Sequence, residues 1–322
     1  PNVLLAENMS KIKIRDFTIN IIMYHYVRPI KNSKYPNLKG LEIKQFEKQI
    51  VNFQKKYNII SEKEFIHVLK TKKVPKKPSI LLTFDDGYKD HYKYVLPYLS
   101  KKKLSACFYP PIGVIKNNTV LDVNKVHFIL EKEKSTKKIL NEINSILISM
   151  GQKSLQKMNL NEINTKSRFD KPQIILIKRL LQHYLKPEIR EKVSTLLFEK
   201  IINSNIKDFS KELYINSNEV KEMYSENMSF GSHGDKHLWW EYLSSRKQEQ
   251  EINNSIKFYN NIGIDTNNMS VCYPYGSYND LTLKILKKKK ISFALTTKVN
   301  CIKKSNKKNI YTLPRYDTND FK

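Results

Sequence analysis

Short apolar runs closed by turn residues alternate with stretches of helical period along the first third of the chain. Ile21–Val27 (Ile-Ile-Met-Tyr-His-Tyr-Val) reads as a strand that carries His25 near its end, and residues 28–42, with Pro29, Pro36 and Gly40, read as a loop. Ile43, Phe46, Ile50 and Phe53 then recur at helical spacing. Ser61-Glu-Lys-Glu64 has the form of a capping box and predicts a short helix with Phe65, Val68 and Leu69 inside. Pro75 and Pro78 interrupt the chain just before Ile80-Leu-Leu-Thr-Phe84, a buried strand that ends abruptly in Asp85-Asp86-Gly87. Residues 91–102 fit a helix interrupted by Pro97, and Ser105–Tyr109 is a strand stopped by Pro110-Pro111. This rhythm is that of a parallel α/β sheet or barrel.

From about 115 to 225 the pattern changes to long helical periods with little Gly or Pro. Ile174, Ile177, Leu180, Leu181 and Tyr184 make one apolar face; Val193, Leu196, Leu197, Ile201 and Ile202 make another. The expectation is one catalytic domain over 1–322 with a helical insertion at 115–225. Its His127 and His183 lack metal-like spacing. The strand pattern resumes at Met228–Ser232 and is followed by a charged helix to about Asn260. Met269–Gly276 reads as a strand entering a Pro-Tyr-Gly turn. A helix over 279–290, a strand at Ile291–Thr296 and an extended Tyr311–Asp317 complete the chain.

Composition changes this picture in one respect. The 322 residues carry 58 Lys+Arg against 31 Asp+Glu, a net charge of +27. That invites a nucleic-acid partner, but the lysines lie in nearly every segment, and Lys287–Lys290 sits where it complements a helix C-terminus. No specific nucleic-acid partner is expected; a phosphate-bearing substrate or an anionic membrane surface uses the same charge more modestly. Cys107, Cys272 and Cys301 form no CxxC pair, so neither a disulfide framework nor a zinc knuckle is expected. No apolar run is long enough for a transmembrane helix. Residues 1–8 are too short and too acidic for a secretory leader, which points to the cytoplasm. The chain does not begin with Met, however, so a native start at Met9 and a trimmed leader both stay open.

Candidate chemistry collects at the ends of the predicted strands. Adjacent Asp85 and Asp86 repel unless a cation offsets them, although Asp-Asp-Gly is also ordinary turn chemistry. His25 has a bland alternative as a core histidine. His233 and His237 are four apart, and a helical turn there would set them on one face. Trp239 and Trp240 follow, as core packing or a stacking surface for a sugar. One Asp and two His make a metal set that leaves positions open for water and substrate, with the second Asp near enough to take a proton.

Thr83-Phe-Asp-Asp-Gly87, Gly231-Ser-His-Gly-Asp-Lys-His237 and Cys272-Tyr-Pro-Tyr-Gly276 together resemble, in order and spacing, the three motifs of the polysaccharide deacetylases (NodB homology, carbohydrate esterase family 4). Gly234 replaces the usual Ser or Thr, the third motif lacks its Arg, and no His follows His237 to supply a C-terminal Leu-x-His motif. Met23-Tyr-His25 is similar to the opening of the poly-N-acetylglucosamine deacetylase subgroup. The resemblance covers roughly 15–113 and 226–317 and implies a distorted (β/α) barrel. It implies Asp85 as general base and Asp86, His233 and His237 as metal ligands. It also implies the Tyr275 backbone N–H at the oxyanion, His25 as general acid, and Arg315 in place of the missing arginine, orienting Asp85. The implied metal is Zn²⁺, with Co²⁺, Ni²⁺ or Fe²⁺ also admitted. The implied substrate is an N-acetylated amino sugar of a bacterial surface polysaccharide or lipopolysaccharide, phosphate- or lipid-linked in one version. The competing class is a non-catalytic carbohydrate-binding protein on the same fold.

Overall fold

In the computed structural model, residues 18–71, 75, 77–160, 170–303 and 309–321 are described. The N-terminal stretch read for a leader lies outside them. Two parallel strands, β1 (Thr18–Tyr24) and β3 (Ser79–Asp85), form the centre of the sheet, in register from Ile19 opposite Ser79 to Tyr24 opposite Phe84. β1 begins three residues before the predicted Ile21 and ends at Tyr24 instead of Val27. Beyond Tyr24 the His25 carbonyl turns to the His91 ring nitrogen (2.9 Å), and Val27 bridges Leu41 instead. All seven residues of β3 are buried, as expected of a parallel strand covered on both faces.

Period-2 alternation divides those residues between two apolar clusters. Ile80, Leu82 and Phe84 join Ile22, Tyr24 and Phe108 against the helices; Leu81 joins Ile19, Ile21, Cys107, Tyr109, Cys272 and Leu295 on the other face. Asp85 shares the face of Leu81 and Thr83, so the strand pattern itself aims it inward. β4 (Cys107–Tyr109) and β5 (Ser229–Phe230) extend the sheet in parallel beyond β3; β2 (Asn58–Ile59) also pairs with β3, and β8 (Ile302–Lys303) and β9 (Tyr316–Asp317) flank β1. β6 (Val271–Cys272) and β7 (Ala294–Leu295) pair separately. Single bridges, Ser232 with Val271 and Leu295 with Leu313, carry the pairing from β5 to β6 and from β7 to the segment that ends in β9. The strands thus follow the order of a distorted (β/α) barrel, joined at these points by single bridges and not by continuous ladders.

The helices lie close to where their periodicity puts them: Ile43–Lys56, Glu62–Thr71, Ser245–Asn261 and Asp280–Lys288. The capping box forms, with Ser61 N donating to Glu64 Oε2 (2.7 Å) and Glu64 N to Ser61 Oγ (3.2 Å). Over 91–101 the first turn, His91–Val95, is π-helical and Leu96–Lys101 is α-helical. Pro97 has no N–H to return to the preceding turn, and the wider turn takes up the mismatch.

The chain divides into two compact units. One comprises residues 1–29, 40–117 and 213–322 and holds the sheet; the other comprises 30–39 and 118–212. Helix Ser217–Ser225, inside the stretch of long helical periods, belongs to the first. In the second, Lys125 is buried among Asp122, Ser194 and Thr195, and Glu131 accepts from Asn37 N (3.1 Å). Among the described residues no helix is long and apolar enough to cross a membrane.

Glu62 is buried at the start of its helix and accepts from Ser270 Oγ (2.5 Å). Burial raises its carboxyl to about 7, against the pull of the Ser270 and Ser229 hydroxyls. The folded state therefore keeps a proton that the unfolded chain releases at about 4.5, and stability falls as pH rises between those values. Glu62→Gln removes this loss. Denaturant unfolding at pH 5 and pH 8 is expected to show the wild type losing about 2.5 kcal/mol more than the variant; equal losses would contradict it.

Candidate active site

β3 ends at Asp85, and the next two residues leave the strand in the left-handed region, Asp86 at φ 70° and Gly87 at φ 68°. A Cβ on Gly87 would stand 2.5 Å from Pro110 Cβ, so only glycine fits this turn. The turn sends the two carboxylates different ways. Asp85 is gripped by Arg315, which donates Nη1–H to Oδ1 (2.9 Å) and Nη2–H to Oδ2 (2.8 Å). Arg315 lies two residues beyond Leu313 and is buried; it also donates to Thr296 O (3.0 Å) and meets Cys272 Sγ at 3.1 Å. Burial alone would raise the Asp85 carboxyl, but the guanidinium overrides it and holds the group at about 2. Asp85 is therefore ionised at neutral pH.

Asp86 Oδ2 accepts from the buried Tyr88 hydroxyl (2.6 Å). Among the described residues its Oδ1 has no hydrogen-bond partner, and it stands 3.5 Å from both His233 Nε2 and His237 Nε2. Burial opposes ionisation of Asp86, yet the adjacent His233 imidazole, itself raised well above its usual value, holds the carboxyl well below the usual carboxylate range. Burial pushes His237 down to about 3, leaving it neutral and able to ligate. His233 directs Nδ1 at Cys272 O (2.7 Å), which presents Nε2 to the centre.

The histidine segment is not the helical turn that its i,i+4 spacing suggests. Gly234 (φ 73°) and His237 (φ 54°) both lie in the left-handed region, so the rings converge across an irregular loop with centroids 4.7 Å apart. Spacing alone does not carry the sign of φ; Gly234 was the local signal.

Asp86, His233 and His237 offer three atoms close enough to share a cation. With bonds of about 2.0–2.2 Å, tetrahedral ligand atoms stand roughly 3.3–3.6 Å apart. The two 3.5 Å separations fit that edge, and an orphaned, ionised, buried carboxylate oxygen is what a divalent ion would satisfy. Asp85, His233 and Cys272 form a second such group, but there both Asp85 oxygens are engaged by Arg315.

His25 follows β1 with its side chain 40% exposed and Nε2 4.0 Å from Asp85 Oδ2, which puts it at the open side of the carboxylate rather than in the core. Tyr275 is left-handed (φ 57°); its ring stacks on Trp239 (4.3 Å) and meets the edge of His237 (4.6 Å). Trp240 is fully buried and packs on Tyr273. The sheet thus gathers all seven residues singled out in the sequence. Tyr88 and Cys272 join them without having been assigned to the site, and Trp239, read as core packing or a stacking surface for a sugar, stacks on Tyr275.

The sequence matches the family model described as polysaccharide deacetylase over residues 72–171 and 192–294, more than half of the chain. No curated protein matches it. Among solved structures it is similar to a Streptococcus pyogenes deacetylase, PplD, in complex with acetate (19% identity, TM-score 0.59, covering 94% of this chain and 92% of that one). IcaB from Ammonifex degensii aligns at 14% identity and TM-score 0.52, over 92% and 90% of the two chains. A de-N-acetylase from Aggregatibacter actinomycetemcomitans aligns at 14% and 0.54, over 92% and 94%. At these identities the structural likeness speaks to the fold.

Proposed function

The chain belongs to the polysaccharide deacetylase family and is at that level a carbohydrate deacetylase; from this premise we propose that it is a metal-dependent hydrolase that removes the N-acetyl group from an amino sugar. The observation that carries the metal is Asp86 Oδ1, buried without a hydrogen-bond partner among the described residues and equidistant from two imidazole nitrogens. Asp86, His233 and His237 would hold a divalent ion, Zn²⁺ by default, with Co²⁺, Ni²⁺ or Fe²⁺ compatible with the same donors. When bound, such an ion supplies Lewis acidity toward water and the acyl carbonyl.

The protein's own groups divide the remaining work. Asp85, ionised and held by Arg315, accepts a proton from the attacking water. His25, on the open side of Asp85, gives a proton to the sugar nitrogen as the C–N bond breaks, and acetate and a free amine are released. The Tyr275 backbone N–H donates toward the oxygen on which negative charge develops. The substrate we propose is a component or intermediate of a bacterial surface polysaccharide or lipopolysaccharide; the net charge of +27 favours a phosphate-bearing or lipid-diphosphate-linked form.

The test begins with the metal. Chelator-stripped protein titrated calorimetrically with Zn²⁺ is expected to show one tight site per chain, lost in His233→Ala. Acetate release from N-acetylglucosamine oligomers should then disappear on chelation and return with Zn²⁺. Wild type without a tight site would remove the basis of this mechanism.

A further inference from the structure

His233 and His237 are secured differently. His233 has its own anchor, Nδ1 on Cys272 O. His237 Nδ1 is buried and, among the described residues, has no hydrogen-bond partner. The direction of the His237 ring must then come from the backbone of residues 234–237 and from the Tyr275 ring.

That backbone is held from one side by a helix face. Within Ser245–Asn261, Glu251, Asn254 and Ser255 share a face. Glu251 Oε2 accepts from both Asp235 N (2.8 Å) and Lys236 N (3.0 Å), and Asn254 Nδ2 donates to Asp235 Oδ2 (2.7 Å). Ser255 Oγ meets Ser232 Oγ (2.8 Å). From the other side Ile112 N and Gly113 N donate to the carbonyls of Gly234 (3.1 Å) and Asp235 (2.8 Å). Glu251 is the member of this cradle that reaches two amides at once, and it is buried. The residue it most constrains is Gly234, where a Cβ would lie 2.6 Å from Glu251 Oε2 at a φ of 73°.

We propose that Glu251 is the positioning residue of His237: by binding two successive amides it fixes the loop that aims a ligand lacking an anchor of its own, and Gly234 leaves it the room. Outer-shell partners of this kind typically change metal affinity 10–100-fold. The inference rests on the metal-centre reading above. It predicts an asymmetry between the two histidines: loosening Glu251 weakens the His237 arm and leaves the His233 anchor intact.

The experiment is Zn²⁺ titration of stripped wild type, Glu251→Ala, Glu251→Asp and Glu251→Gln, with near-ultraviolet circular dichroism to establish that each is folded. Glu251→Ala is expected to weaken Zn²⁺ by about 10–100-fold at unchanged stoichiometry. Glu251→Gln, whose amide oxygen can accept from both N–H groups, should stay near wild type. The Co²⁺-loaded Glu251→Ala protein should show altered visible absorption, which a purely structural role would not produce. If Glu251→Ala does not fold, Glu251→Asp keeps a carboxyl group but withdraws it by one methylene from the two amides, and should weaken binding in the same direction. Folded Glu251→Ala or Glu251→Asp with wild-type affinity would overturn the proposal. Absence of a tight site in wild type would instead sink the metal reading on which it stands.

Discussion

Asp85→Asn is expected to lower the rate of acetate release by about 10²–10⁴-fold, the range of a lost general base, while leaving one Zn²⁺ site. The amide is nearly isosteric, so the β3 turn and the Asp86 geometry are retained. What disappears is the carboxylate that accepts the water's proton. The substitution also strands Arg315, whose guanidinium is buried against Asp85. Removing one member of a buried pair typically costs about 3–5 kcal/mol, so the variant should melt earlier. The three readouts separate the causes: an unchanged metal titration excludes loss of the ion, and assay well below the melting point excludes unfolding. Turnover close to wild type under those conditions would dismiss Asp85 as the base.

Arg315→Met is the second large effect, and it acts through pH. In the wild type the guanidinium holds Asp85 at about 2 against burial. A depressed carboxyl contributes stability that is complete above its unfolded value of 3.8 and is lost as pH falls through about 2. Methionine fills the volume without charge, burial acts unopposed, and the Asp85 carboxyl rises. Stability relative to wild type should then be worst near neutral pH, by about 3–5 kcal/mol, with the gap narrowing as pH falls through the raised Asp85 value and on towards about 2. The acidic limb of the kcat/KM profile should move to higher pH, because the base is protonated over more of the range. Arg315→Lys should restore charge but not the two-pronged grip, and so recover only part of the shift. An acidic limb that stays in place in Arg315→Met would refute the orienting role.

The reach of the sequence differed from residue to residue. An uninterrupted apolar run ending in Asp-Asp-Gly is legible because strand burial and turn chemistry are local. The pairing of Arg315 with Asp85 is not local: 230 residues separate them, and their meeting depends on bridges between short strands that no window detects. The family resemblance, not periodicity, pointed to Arg315. Strand lengths were overestimated for the same reason. Ile291–Thr296 reads as a strand, yet only Ala294–Leu295 enters a ladder, since apolar composition records burial and not pairing. A helical turn, which would set His233 and His237 on one face, is not what the loop forms, because i,i+4 spacing is silent on φ. Glu251 lies within the segment read only as a charged helix; its burial follows from the amides it faces.

The distance between Asp85 and Arg315 has a consequence for biosynthesis. A ribosome adding about 5–20 residues per second needs roughly 10–50 s to get from one to the other. Through that interval the nascent Asp85 carboxyl has no guanidinium to neutralise it, so it must stay hydrated or take up a proton. β1 likewise waits for β8 and β9, its pairing partners from the far end of the described chain. The interior around Asp85 therefore closes last, and a chain arrested before residue 302 would display β1 unpaired along one edge. Such an edge is a substrate for chaperones and proteases, so incomplete copies carry their own mark for removal.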